Sequence, residues 1–255
     1  MLLAIDIGNT NVTVGLFRGE ELGATWRIAT GIDRMPDEYA VILLNLLRQQ
    51  GFDAPDVTEV SLCSVVPPLT ATFEELCQRY FKVSPLVVRA GVKTGVRIRM
   101  DNPAEVGADR IVDAAAAHHL YGGPLIIVDL GTGTTFDTVS KEGDYLGGAI
   151  APGLRMAAEA LYTHTAMLPR VELARPERAI GTNTITAMQS GLVFGYIGLI
   201  EGIIARIRKE IKGKVKVIAT GGYAELIAKE TSVIDVVNPD LTLVGLRLIY
   251  MMNRA

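Results

Sequence analysis

Two stretches of the chain share one pattern of apolar and polar positions. Residues 2–14 read LLAIDIGNTNVTV and residues 125–137 read LIIVDLGTGTTFD. Each is an apolar strand that ends in Asp-apolar-Gly, turns through small hydroxyl or amide residues and enters a second strand-like run. Asp6 matches Asp129 and Gly8 matches Gly131, about half the chain apart. The repeat predicts two similar α/β halves, drawn as domains 1–118 and 119–255. Gly122-Gly123-Pro124 is a natural break beside the junction.

The pattern continues alike in both halves. A third strand is predicted at Ala24–Ala29 and at Tyr145–Ile150, each after a polar turn. Three-strand meanders then give way to helices. Tyr39, Ile42, Leu43, Leu46 and Leu47 form one helical face over Asp37–Gln50. Val57–Val65 reads as a buried strand ended by Pro67-Pro68, Leu69–Tyr80 as a helix and Leu86–Val88 as a strand. In the second half, Thr184–Lys212 reads as a long helix, Val215–Ala219 as a strand and Leu241–Met252 as a closing helix. Gly191, Gly195, Gly198 and Gly202 share one face of the long helix. That face predicts either close packing on its own sheet or a helix contact between subunits.

Composition narrows the classes. The 255 residues are 49% hydrophobic and 21% charged, which provides for a packed core and excludes global disorder. The formal charge is −3, and no basic stripe marks nucleic acid as a partner. Cys63 and Cys77 are the only cysteines and read as reduced thiols. The N-terminal segment lacks a signal-peptide pattern. The apolar stretch Ile185–Ile200 is shorter than the roughly 20 residues of a membrane span. The expectation is a cytoplasmic protein without a membrane partner.

Three segments carry candidate chemistry. Asp6-Ile7-Gly8-Asn9-Thr10-Asn11 could cradle phosphate oxygens on backbone N–H groups, with the carboxylate holding a cation. An ordinary β-hairpin would use the same residue types. The second copy, Asp129-Leu130-Gly131-Thr132, favours a polyphosphate clamped by two hairpins. The third segment runs from Asp101-Asn102-Pro103 to Gly107-Ala108-Asp109-Arg110 and opens an Ala-rich helix. Arg110 suits a substrate carboxylate and Asp109 suits proton abstraction from a hydroxyl, although an Asp–Arg pair can equally cap a helix. His118 and His119 are adjacent and diverge on a helix. His164 has no acid partner at a readable spacing. No P-loop or Rossmann spacing occurs.

These segments, with Gly181-Thr182-Asn183-Thr184, resemble the type III pantothenate kinase family, within the superfamily of acetate and sugar kinases, heat-shock chaperones and actin. They occur in the family's order along nearly the whole chain. The resemblance implies two duplicated ribonuclease H-like (actin-like ATPase) domains with the active site in the cleft between them. It implies ATP-dependent phosphorylation of pantothenate to 4'-phosphopantothenate, the first step of coenzyme A biosynthesis. It implies that Asp6, Ile7, Gly8, Asn9, Thr10, Asn11, Val12 and Thr13 bind ATP, with Asp6 near magnesium and Thr132 also on ATP. Asp109 would be the general base, and Gly107, Ala108, Asp109, Arg110 and Thr184 would hold pantothenate. Asp129 would bind a monovalent cation, potassium or ammonium. Family members are homodimers with the pantothenate site completed near the subunit interface.

Met100 stands where relatives often carry an aromatic residue. Thr220-Gly221-Gly222 could approach an adenosine or be a plain turn. Two rival functions share these motifs. One is another phosphotransferase or polyphosphate hydrolase of the superfamily. The other is a non-catalytic regulatory or accessory factor, since the family includes proteins described as accessory factors for virulence-gene regulation.

Overall fold

The computed structural model describes residues 1–254. Eleven strands and seven α-helices are described: β1 (Leu2–Ile7), β2 (Asn11–Arg18), β3 (Glu21–Ala29), α1 (Pro36–Gln49), β4 (Glu59–Ser64), α2 (Pro67–Leu76), β5 (Leu86–Val87), β6 (Arg97–Ile98), α3 (Ala108–Tyr121), β7 (Leu125–Leu130), β8 (Gly133–Val139), β9 (Asp144–Pro152), α4 (Leu154–Thr163), α5 (Thr184–Glu210), β10 (Lys216–Thr220), α6 (Ala224–Ala228), β11 (Val236–Val237) and α7 (Leu241–Asn253).

The repeat read in the sequence is a repeat of topology. One sheet has the order β3-β2-β1-β4-β5 and the other β11-β10-β7-β8-β9-β6. In each, an antiparallel meander (β1-β2-β3, β7-β8-β9) is extended by two parallel strands (β4 and β5, β10 and β11). β1 and β7 are central strands, each paired antiparallel on one edge (β2, β8) and parallel on the other (β4, β10). These two strands accordingly read as continuous apolar runs rather than alternating ones.

Two compact units result. The first comprises Met1–Val96, Asp101–Ala116 and the described residues from Leu241 onward, and the second Arg97–Met100 and Ala117–Asp240. The division at 118/119 drawn from the sequence differs from this in two places. The closing helix α7 packs Leu243, Leu246 and Ile249 against Leu2, Ala4 and Cys63 of the first unit. The short strand β6 pairs in parallel with β9 of the second. Each unit has its own core: Tyr39, Leu43, Leu62, Leu69 and Phe73 on one side of the first sheet, and Ile126, Val128, Val193, Ile200 and Val217 in the second.

Pro67-Pro68 does more than end a strand. It supplies the first turn of α2, where the missing N–H costs nothing. The long helix α5 runs close to its expected bounds, and its 27 residues are, by length and apolar composition alone, enough to cross a membrane. Leu192, Val193, Tyr196, Ile197, Ile200 and Ile204 of this helix are buried in the second unit's core. The glycine face points away from that core. A Cβ placed on Gly191, Gly195 or Gly198 would meet nothing within 4 Å, and on Gly202 only Arg206 of the same helix. Packing of the glycine stripe on its own sheet is therefore excluded.

Candidate active site

In the first unit, Asp6 lies near the end of β1, paired in register with Thr13 of β2 and Cys63 of β4. The Cys63 thiol donates to Asp6 Oδ1 at 3.4 Å. Burial, reinforced by the charge of Asp109, pushes the Asp6 carboxyl up from 3.8 to about 7, and the thiol's hydrogen bond opposes this in part. Burial, then Asp6 and Asp109, push the Cys63 thiol well up, so it stays a neutral donor. Asp6 and Asp109 thus act on each other across the unit. A cation bound beside the two carboxyls would offset the like charge that raises Asp6 and favour its ionised form. Among the described residues no cluster of three or more metal-ligating side chains exists.

The turn after Asp6 is more constrained than the sequence suggests. The Gly8 N–H donates to the Asn11 carbonyl at 3.0 Å, so this amide, expected to be available to phosphate, is already engaged. Ile7 and Val12 are buried with their side chains in the core, which leaves only their backbones for a ligand. Asn9, Thr10 and Asn11 are exposed at the tip and Thr13 is half-buried. Thr30, just past β3, was not singled out in the sequence. Its N–H donates to the Thr10 carbonyl at 3.0 Å and its hydroxyl to the Gly8 carbonyl at 2.7 Å.

The segment Asp101–Arg110 builds the start of α3. The Asn102 side chain caps a short turn at Pro103–Glu105 by accepting from the Ala104 N–H. Gly107, Ala108, Asp109 and Arg110 follow, all half-buried. Asp109 folds back so that Oδ1 accepts from the Arg110 N–H at 2.8 Å. A Cβ on Gly107 would lie 2.5 Å from that same oxygen, so glycine is what lets the carboxylate take this position. One turn further, buried Asp113 accepts from the Thr242 hydroxyl of α7 at 2.7 Å. Gly245 of α7 sits where a Cβ would be 2.4 Å from the Val112 carbonyl. The closing helix therefore clamps the helix that carries Asp109 and Arg110.

In the second unit, Asp129 pairs with Thr135 of β8 and Thr220 of β10. The turn after β10 comes in close: Gly221 has φ +89°, and a Cβ there would lie 2.4 Å from Asp129 Oδ1. A Cβ on Gly131 would lie 3.4 Å from Oδ2. The missing side chain of Gly221 thus leaves the space that the Asp129 carboxylate occupies, while Gly131 lies at ordinary contact distance. Thr220-Gly221-Gly222 is consequently part of the Asp129 environment. Thr132 is exposed at the hairpin tip. Further along β8, Asp137 accepts from Thr135 at 2.9 Å and from buried Tyr145 at 2.6 Å.

Thr184 opens α5, whose first turn is capped by the Asn183 side chain accepting from the Thr186 N–H at 2.9 Å. Thr184 lines a largely apolar groove of about 880 Å³ with Leu161, Leu168, Met188 and Leu192, and Gly191 of the glycine face borders it. Met100 sits over Gly147, its sulfur 2.8 Å from where a Cβ would be. His118 meets the Lys141 carbonyl at 3.1 Å, a structural contact.

Comparisons with known proteins give these residues a context. The family model described as type III pantothenate kinase matches residues 2–206. A type III pantothenate kinase of Dehalococcoides mccartyi (strain CBDB1) is 57% identical over 253 residues, 99% of this chain and 96% of the relative. A type III pantothenate kinase of Moorella thermoacetica is 53% identical, covering 99% of this chain and all of the relative. Among solved structures, the inorganic polyphosphate/ATP-glucomannokinase of Arthrobacter sp. strain KM superposes with a TM-score of 0.53 at 14% identity, covering 99% of both chains. That likeness shows the fold, the duplicated ribonuclease H-like architecture of actin-like ATPases. Family-model match and full-length identity together place this chain in the type III pantothenate kinase family.

Proposed function

We propose that this protein transfers the γ-phosphoryl group of ATP to the primary hydroxyl of pantothenate, giving 4'-phosphopantothenate and ADP, the entry step to coenzyme A. The observation that carries the reading is the full-length likeness to type III pantothenate kinases, with Asp6 near the end of β1 and Asp109 in the first turn of α3 within one unit. Asp109 is assigned as general base. It accepts the hydroxyl proton as the pantothenate oxygen attacks the γ-phosphorus and the bond to the ADP oxygen breaks. Arg110, with the backbone of Gly107 and Ala108, holds the pantothenate carboxylate. The hairpin from Asp6 to Thr13 holds the ATP phosphates, and Asp6 would hold magnesium. In the second unit, Thr132 is assigned to ATP, Asp129 would hold potassium or ammonium, and Thr184 is assigned to pantothenate. Bound cations supply positive charge against the transferring phosphoryl group. The chain's own residues supply position and proton acceptance.

We also assign a homodimer. The open glycine face of α5 supports this, as do the exposed apolar residues Met167 (90% exposed) and Ile180 (82% exposed) in the same unit. Cys63 and Cys77 are free, buried thiols, consistent with a cytoplasmic, reducing setting. Incubating the protein with magnesium-ATP, potassium and pantothenate and identifying the product by mass spectrometry tests the function. A phosphate monoester of pantothenate supports it. ATP consumed with pantothenate unmodified would sink it.

A further inference from the structure

We propose that Thr30 is a positioning residue for the ATP-binding hairpin: by capturing the Gly8 and Thr10 carbonyls it turns the Asn9 and Asn11 amides toward the opposite side, where an anion is received. The inference rests on the assignment of ATP phosphates to this hairpin.

The argument starts from peptide geometry. In a trans peptide unit the C=O and N–H point to opposite edges of one plane. The Gly8 carbonyl accepts from the Thr30 hydroxyl at 2.7 Å. The Asn9 N–H, on the other edge of that plane, therefore points away from Thr30. The Thr10 carbonyl accepts from the Thr30 N–H at 3.0 Å, so the Asn11 N–H also points away from Thr30. One residue thus sets two amides of the turn. It also keeps two carbonyl oxygens, which would repel phosphate, on the far side. Backbone N–H groups turned out of a loop, here from alternate residues, give it a surface that can receive an anion. The Gly8 N–H closes the turn onto the Asn11 carbonyl at 3.0 Å and holds the planes in step.

Thr30 is itself anchored to the core. The next residue, Gly31, donates its N–H to the Tyr39 hydroxyl at 2.9 Å, and the same hydroxyl donates to the Gly31 carbonyl at 3.2 Å. Tyr39 of α1 is fully buried. Its ring packs against Phe73 with centroids 4.8 Å apart. A chain of contacts therefore runs from the first unit's core through Tyr39 and Gly31 to Thr30, and from there to the hairpin. A purely local account of Thr30 as the end of β3 explains its N–H bond. It does not explain the hydroxyl bond to Gly8, which reaches across to the first strand's turn.

The test is Thr30→Val, which keeps shape and the backbone N–H bond but removes the hydroxyl, alongside Thr30→Ser, which restores it. Steady-state kinetics are read with isothermal titration of magnesium-ATP and with melting temperature. Thr30→Val is expected to raise the KM for magnesium-ATP about three- to tenfold, the span of one lost hydrogen bond. The KM for pantothenate should stay within about twofold, and Thr30→Ser should recover the wild-type value. Tyr39→Phe, which loosens the anchor with Thr30 intact, should move the same constant in the same direction. A Thr30→Val protein with wild-type affinity for magnesium-ATP overturns the proposal while leaving the functional reading in place. So does one in which melting temperature, both KM values and kcat all deteriorate together without rescue by serine. Wild-type protein that binds no magnesium-ATP overturns the functional reading, and the role of Thr30 with it.

Discussion

The two Asp-x-Gly hairpins have the same strand order around them and different chemistry at the same register. In the first, the parallel partner of Asp6 is Cys63, a neutral thiol that donates to the carboxylate, and a second acid, Asp109, acts on it. In the second, the parallel partner of Asp129 is Thr220, and the residue after it, Gly221, closes over the carboxylate. The corresponding residue in the first unit is Ser64, whose side chain is turned to Val66 instead. The difference teaches that a duplicated fold keeps the strand that delivers an aspartate and changes what meets it. One copy places a buried aspartate beside a neutral thiol and under the charge of a second acid. The other places its aspartate against the backbone of a left-handed glycine.

The largest effect expected is at the acid pair. Asp109→Asn should lower kcat by about 10²- to 10⁴-fold, the usual contribution of a general base. Binding of ATP and pantothenate by calorimetry should persist. A kcat near wild type would remove Asp109 from the base role.

Asp6→Asn should abolish productive magnesium-ATP binding and, by contrast, stabilise the unliganded protein above neutral pH. The sign follows from linkage. Asp6 titrates at about 7 when folded against 3.8 as an ordinary carboxyl. The folded state therefore holds the proton more tightly, and stability is lost as pH rises from about 4 through 7. Wild type should melt higher at about pH 5 than at about pH 8 from this group, and Asp6→Asn should flatten that slope. Identical pH–melting curves for both proteins would contradict the Asp6 environment described here.

Gly221→Ala sharpens the comparison. The added methyl meets Asp129 Oδ1 at 2.4 Å and the residue has φ +89°, a conformation alanine resists. A loss of stability of about 1–3 kcal/mol is expected, with the response to potassium weakened. The counterpart change in the first unit, Ser64→Ala, should leave the cation response unchanged and cost at most about 1 kcal/mol. Equal cation responses in the two variants would erase the contrast between the hairpins.

Cys63→Ala should have the smallest effect, a several-fold change in the KM for magnesium-ATP on the order of one weak hydrogen bond, with Cys63→Ser closer to wild type. Alkylation of the native protein should leave Cys63 unmodified, since it is 0% exposed.

Much of this was legible in the sequence. The hydrophobic runs ending at Asp6 and Asp129 announced two copies of one meander, and Asp101–Arg110 announced a helix start with an acid and an arginine. The unread parts depend on contacts between distant residues. Two-residue strands such as Arg97–Ile98 and Val236–Val237 are too short to carry a periodic signal. The apolar face of α7 says that it packs, not on which sheet. Cys63 gains meaning only from the parallel register that sets it beside Asp6. Thr30 looks like a residue after a strand, because its hydroxyl partner lies 22 residues earlier. The glycine face of α5 was visible as a stripe, but only the fold shows that it looks outward.

The most direct test of the account is ADP release from magnesium-ATP with pantothenate present or absent, in potassium and in sodium buffer. The account predicts turnover only where pantothenate and potassium are both present. ADP released at the same rate without pantothenate would contradict it and make the protein an ATP hydrolase or a kinase of another acceptor. Absence of turnover with ATP still bound would contradict it in favour of a regulatory protein.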